Sequence, residues 1–107
     1  MRQVEKLIQE EKAKILAETA KIPWKDIEKL YAQGKLILVS DTLNLVDAGY
    51  SISLNDATKV IEWMDGGLLV KEFNKQAKAW HNENAEVWSV VIHPWVLVQS
   101  IISPAIE

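Results

Sequence analysis

The chain has 107 residues, no cysteine and a formal net charge of −3, which suits one domain held by a hydrophobic core without disulfides. Its lysines are dispersed among glutamates, which argues against a phosphate-binding surface, so we expect no nucleic-acid partner. Because zinc sites use Cys, His and carboxylates and only two histidines are present, we also expect no metal site.

The first predicted element is a leading helix from about residue 3 to residue 20. Glu11 and Glu18 lie close to its apolar side, so we expect the helix to be half exposed. That side is a stripe of apolar residues at helical spacing, formed by Val4, Leu7, Ile8, Ile15 and Ile22.

This stripe also predicts self-association. It spans about 27 Å at 1.5 Å per residue, which rivals the diameter of a small domain. Its N-terminal part, consisting of Val4, Leu7 and Ile8, is furthest from the rest of the chain. An isolated helix of this length is marginally stable in water. We therefore expect these three residues to contact a second copy of the chain in a homodimer, the commonest oligomer.

A second helix is predicted from Pro23 to about Gln33. Proline suits a first helical turn because the N–H that it lacks would be unpaired there. Gly34 follows as the left-handed residue that ends the helix. The apolar residues 35–40 then predict a strand.

Residues 46–54 alternate strictly between apolar and polar or small side chains. This period of two predicts a half-buried strand. The spacing of Leu45, Gly49 and Ile52 is also compatible with a helix, so both interpretations stay open for this segment.

The following helix is expected to begin after a capping box formed by Ser53 and Asp56. Its apolar positions are Val60, Ile61 and Met64, and two consecutive glycines should end it.

The C-terminal third predicts two strands and a helix. Residues 68–73 form the first strand, and Asn74 caps a short helix. Residues 87–99 are apolar on both faces, as in a central strand. Since proline cannot donate to a sheet ladder, this strand should bend or break at His93-Pro94.

Together these elements predict one α+β domain over residues 1–107. Two leading helices precede a small sheet of three or four strands, and the helices pack on one face of the sheet.

Three residues are candidates for a ligand site or an interface: Asp47, His93 and Trp95. His93 lies within an apolar segment, where we expect it to be a structural residue with a hydrogen bond. A catalytic role would need an orienting carboxylate, which either Asp47 or Asp41 would supply. Trp95 is expected either to pack in the core or to line a cleft.

No other pattern indicates catalysis or a cofactor. The glycines at 66–67 lack the lysine of a phosphate-binding loop and the spacing of a dinucleotide site. The serines have no nucleophile-elbow context. We expect no catalytic, cofactor-binding or metal-binding residue.

Several short motifs resemble those of an uncharacterised bacterial family, domain of unknown function 2288. They cover nearly the whole chain, with Gly49 and Pro23 as local departures. The resemblance implies a small soluble bacterial protein and no particular reaction. The motifs are Glu18-Thr19-Ala20, Trp24, Gly34, Leu45-Val46-Asp47, Asn55-Asp56, Trp63 and the segment from Pro94 to Gln99.

The sequence favours a non-enzymatic interaction or assembly module. The alternative is a small-ligand-binding protein or a simple enzyme with a cleft near Asp47, His93 and Trp95. The charged N-terminus is unlike a signal peptide. The apolar C-terminal segment is expected to be buried sheet and not a membrane helix. We therefore expect a cytoplasmic protein that contacts no membrane.

Overall fold

The computed structural model of the protein describes residues 2–101. Five helices and five strands occur within this range. In chain order they are α1 (Arg2–Glu18), β1 (Ala20–Pro23), α2 (Trp24–Ala32), β2 (Leu36–Val39), α3 (Leu45–Ser53), α4 (Ala57–Asp65), β3 (Leu69–Val70), α5 (Asn74–Glu83), β4 (Glu86–Ile92) and β5 (Trp95–Ser100).

The strands form one mixed sheet in the order β1-β4-β5-β2-β3. β4 and β5 are the central hairpin, with Ile92 opposite Trp95 and Val87 opposite Ser100. β2 pairs with β5 in parallel, whereas β1 and β3 pair in the antiparallel direction with β4 and β2. The α+β class is confirmed, and the sheet has one more strand than the three or four expected.

Helices cover both faces of the sheet, which corrects the expectation that they pack on one face. α1 and α3 bury Ile15, Leu45, Ala48 and Ile52 against one face. α2 and α5 cover the other face with a second cluster. The central strands are apolar on both sides, as residues 87–99 predicted, and both sides therefore need cover. The second cluster consists of Trp24, Ile27, Leu36, Phe73, Ala77, Trp80, Val87 and Val98.

The strand interpretation of residues 46–54 is wrong, because the segment is the helix α3. The Asn44 side chain caps this helix by accepting hydrogen bonds from the N–H groups of Val46 and Asp47. Gly49 lets the helix approach its neighbours closely, since a Cβ atom there would lie 3.2 Å from Ile15 and 3.3 Å from Ile92. In a segment this short, the same apolar residues can match both the period of two of a strand and the 3.6-residue period of a helix.

The C-terminal apolar segment is two strands and not one. The break at His93-Pro94 is where it was expected, but the chain reverses there into the hairpin of β4 and β5. The His93-Pro94 peptide bond is cis, and the two residues form the tight turn between the strands.

Two of the remaining elements begin differently from their predictions. The cap of α4 is Asp56, whose Oδ1 accepts a hydrogen bond from the Lys59 N–H at 3.1 Å, whereas Ser53 Oγ donates to the Tyr50 carbonyl. Asn74 does not cap α5, because Phe73 precedes the helix and the Asn74 side chain accepts a hydrogen bond from the Tyr31 hydroxyl.

The strand expected at 68–73 is limited to Leu69–Val70, and β1 was not expected. The second helix was predicted well. It begins after Pro23, and Gly34 follows it with a φ of 73°. Among residues 2–101, no helix is long and apolar enough to cross a membrane.

Candidate functional site

Asp47 lies on the first turn of α3 and is half exposed. Its Oδ1 forms an ion pair with Lys12 Nζ on α1 at 3.1 Å. The contact links the two helices that cover one face of the sheet. Because both side chains are partly open to solvent, the pair contributes little to stability.

His93 is exposed in the turn between β4 and β5. The apolar residues around it in sequence belong to the strands on either side, so its imidazole lies in solvent and not in the core.

We predict that His93→Gln changes the free energy of unfolding by no more than about 0.5 kcal/mol, the range of exposed substitutions. Chemical denaturation of the two proteins would measure this. A loss above about 1.5 kcal/mol would show that the imidazole makes a stabilising contact.

Trp95 begins β5 and is half-buried against the core under α3. Lys71 Nζ lies 4.3 Å from the centre of its ring, within the range of a cation–π contact. Trp95 therefore has a partly open side, unlike Trp24, and it lines a cavity.

The three residues singled out from the sequence lie at separate places. Trp95 lines the cavity under α4, and Asp47 and His93 do not. Asp47 is engaged with α1, and His93 is at the tip of the hairpin. Within residues 2–101, no described cavity is lined by more than one of them.

The N-terminal turns of α1 extend past the domain. Ile15 is 6% exposed, whereas Val4 and Leu7 are 57% and 61% exposed, and Ile8 is half-buried. The last turns of the helix are held by Ile15 and by the Lys12–Asp47 ion pair. The first two turns therefore present apolar side chains with little cover.

A cavity of about 250 Å³ lies between α4, the end of α3 and the sheet. Six of its seven lining residues are apolar, and Asn55 is the seventh. The sequence predicted the apolar positions on α4 but not the cavity, because its walls come from three separate stretches of the chain. They are Ile37, Ile52, Asn55, Ala57, Val60, Met64 and Trp95.

A second cavity, of about 320 Å³, lies where the β2–α3 loop meets α1 and the sheet. Asp41, Thr42, Trp88 and Gln99 contribute to its lining. The Gln99 side chain shapes it by donating hydrogen bonds to the carbonyls of Ser40 and Leu43, both at 2.8 Å. This role of Gln99 was not predicted from the sequence.

Glu28 joins α2 and α5 beside the second hydrophobic cluster. Its Oε2 accepts a hydrogen bond from Trp24 Nε1 at 3.2 Å and lies 2.8 Å from His81 Nδ1. This pairing orients the His81 ring and links the two helices. Among residues 2–101, no three His, Cys, Asp or Glu side chains are grouped closely enough to hold a metal ion.

Comparison with known proteins supports the resemblance seen in the sequence. The model of the family described as "Protein of unknown function (DUF2288)" matches residues 10–100. The solution NMR structure of PA1075 from Pseudomonas aeruginosa is similar, with a TM-score of 0.77 and 35% sequence identity over 89% of this chain and 88% of that chain. A search among curated proteins found no match.

Proposed function

Since this chain belongs to the DUF2288 family of proteins of unknown function, we propose a function from its own surfaces: it is a non-enzymatic assembly module that forms a homodimer. The exposed N-terminal turns of α1 are the proposed contact. The observation that carries the proposal is the exposure of Val4 and Leu7 on a helix whose C-terminal half is docked on the domain.

The geometry of the helix supports this contact. Val4 and Ile8 precede Ile15 by about three and two helical turns, so they point to the side on which Ile15 is buried. The side of α1 that packs on the domain thus continues outward as an apolar stripe. Over the first two turns of α1, this stripe has few packing contacts with the domain.

A second copy of the chain is the partner we favour. In a two-fold symmetric dimer each copy contributes the same patch, so the apolar stripe of one copy can cover that of the other and no second type of surface is needed. Full burial of an aliphatic side chain is worth about 1.5–3 kcal/mol, and association costs at least about 4 kcal/mol in lost freedom. Because Val4 and Leu7 are 57% and 61% exposed and Ile8 is half-buried, the six side chains of a pair gain only part of this value, which predicts a weak dimer.

The proposed contact lies outside the part of the chain that the family model matches. Val4, Leu7 and Ile8 precede residue 10, where the family match begins. Related chains with other residues at this end would then differ in oligomeric state.

Leu7→Glu is predicted to weaken self-association at least about tenfold, because one carboxylate in each copy would enter an apolar contact. Sedimentation equilibrium across the micromolar range would measure the dissociation constant of the dimer.

Leu54→Glu is the matched control. Leu54 is 57% exposed and lies just after α3, so its substitution should leave the association unchanged. A wild-type chain that stays monomeric at high concentration, or equal dissociation constants for wild type and Leu7→Glu, would contradict the proposal.

A second candidate function is small-ligand binding, which is favoured by the apolar cavity beside Trp95. Asp47 and His93 lie outside this cavity, so the candidate is binding rather than catalysis.

A further inference from the structure

The lining of the cavity under α4 is almost entirely apolar. Ile37 and Ile52 form its floor on the sheet and α3, and Val60 and Met64 come from α4. None of the seven lining residues is charged, and the polar side-chain groups among them are the Asn55 carboxamide and the Trp95 indole N–H. Such a lining suits an apolar guest.

α4 covers this cavity without sealing it. None of the nine residues of α4 is buried, although Val60 and Trp63 pack against the core. Val60 and Met64 are one helical turn apart and both face the cavity. Protein interiors are close-packed and leave few voids larger than a water molecule. A lined space of about 250 Å³ is therefore large enough to hold a guest molecule.

We propose that this cavity binds one small, neutral and mainly apolar molecule with a single hydrogen-bonding group directed to Asn55. The proposal rests on the second candidate function and specifies its ligand class. An apolar cavity of about 150 Å³ holds benzene. Since benzene has six non-hydrogen atoms, the same volume per atom gives the cavity under α4 room for a molecule of about ten non-hydrogen atoms.

The absence of charged residues from the lining determines which class of ligand the cavity favours. An anion or cation in the cavity would lose water without an opposite charge to replace it, which costs several kcal/mol. Lys71 lies over the Trp95 ring but does not line the cavity. Neutral molecules are therefore favoured over charged ones of the same size.

Asn55 supplies the polar contact. It is exposed between α3 and α4, with a φ of 56°, and its carboxamide offers both donors and an acceptor. A neutral hydrogen bond contributes about 0.5–1.5 kcal/mol. The apolar walls would thus supply most of the affinity, and Asn55 would orient the ligand.

The test compares three probes of similar size by amide NMR titration of the full chain: indole, its hydrocarbon analogue indene, and benzoate. Indole and indene are expected to shift the signals of Ile52, Asn55, Val60 and Trp95 in a saturable way. Benzoate is expected to bind at least about tenfold more weakly. The absence of saturable shifts at these residues with all three probes would overturn both the ligand class and the ligand-binding function. Equal binding of benzoate there would overturn the class alone.

Two variants localise the site. Ala57→Leu fills the cavity and should weaken the binding of indole and indene at least about tenfold, while the melting temperature stays the same or rises. Thr58→Leu is the control: it lies one residue outside the lining and should not change binding. Asn55→Gly tolerates the positive φ and should weaken indole by about two- to tenfold, with indene unchanged. Unchanged indole affinity in Ala57→Leu, or equal losses for indole and indene in Asn55→Gly, would overturn the proposal.

Discussion

Trp24→Ala is expected to lower the free energy of unfolding by about 3–5 kcal/mol, the range for large aromatic residues removed from cores. Trp24 is 0% exposed. Its ring centre lies 5.1 Å from that of Trp80, 6.0 Å from that of Tyr31 and 6.1 Å from that of Phe73. The substitution would leave a cavity at the centre of the cluster that joins α2 and α5 to the sheet. Urea denaturation would measure the loss.

Trp63→Ala is the control for this substitution. Trp63 is half-buried on α4, so its removal takes away less buried area and should cost clearly less. A loss below about 1.5 kcal/mol for Trp24→Ala, or equal losses at the two sites, would show that the surrounding aromatic rings close the space.

Gln99→Ala is expected to lower the free energy of unfolding by about 2–4 kcal/mol, because two backbone carbonyls lose their donor at a part-buried position. Gln99 Nε2 donates to Ser40 and Leu43, which are 59 and 56 residues away in the chain. The side chain therefore fixes the β2–α3 loop to β5. Urea denaturation and hydrogen exchange of the loop amides would report the loss.

Gln99→Glu separates the hydrogen bonds from the volume of the side chain. An ionised carboxylate of the same shape cannot donate and faces two carbonyl oxygens, so it should cost more than alanine at pH 7. The two carbonyls favour the protonated carboxyl group and so raise its pKa in the folded state, and the penalty should therefore shrink as the pH falls toward about 4.3. Ser100→Ala, at the adjacent half-buried position, is the control, and an equal loss there would contradict the assigned role of Gln99.

The parts of the fold that the sequence predicted depend on local chemistry. Pro23 and Gly34 bound α2 through backbone restrictions that neighbouring residues do not change. The period of α3 was ambiguous, since the alternation over residues 46–54 fits a strand and the spacing of Leu45, Gly49 and Ile52 fits a helix. What decides between them is the packing of Gly49 against Ile15 and Ile92, which no local pattern contains.

The surface features can likewise be separated into those set by local sequence and those set by tertiary structure. The exposure of Val4 and Leu7 fits the expected apolar stripe, a local property, although its last residue, Ile22, lies in β1 and not on α1. The position of His93 did not, because the apolar residues around it suggested one buried strand and the chain instead reverses there. Gln99 was missed because its partners are set by the β2–α3 loop. The cavity under α4 was missed for the same reason, since tertiary structure alone brings its walls together.

The order of strands has a consequence for synthesis on the ribosome. β5 lies between β4 and β2 and connects β1 and β4 to β2 and β3, yet it is the last strand to be translated. Until Ser100 has left the exit tunnel, the nascent chain holds two strand pairs that lack their common neighbour, with apolar surfaces on both sides. Pairing β2 with β5 in parallel also closes a long loop, which slows folding. The sheet is therefore expected to close only after β5 has left the exit tunnel, and a nascent chain arrested before Trp95 should remain open to proteases.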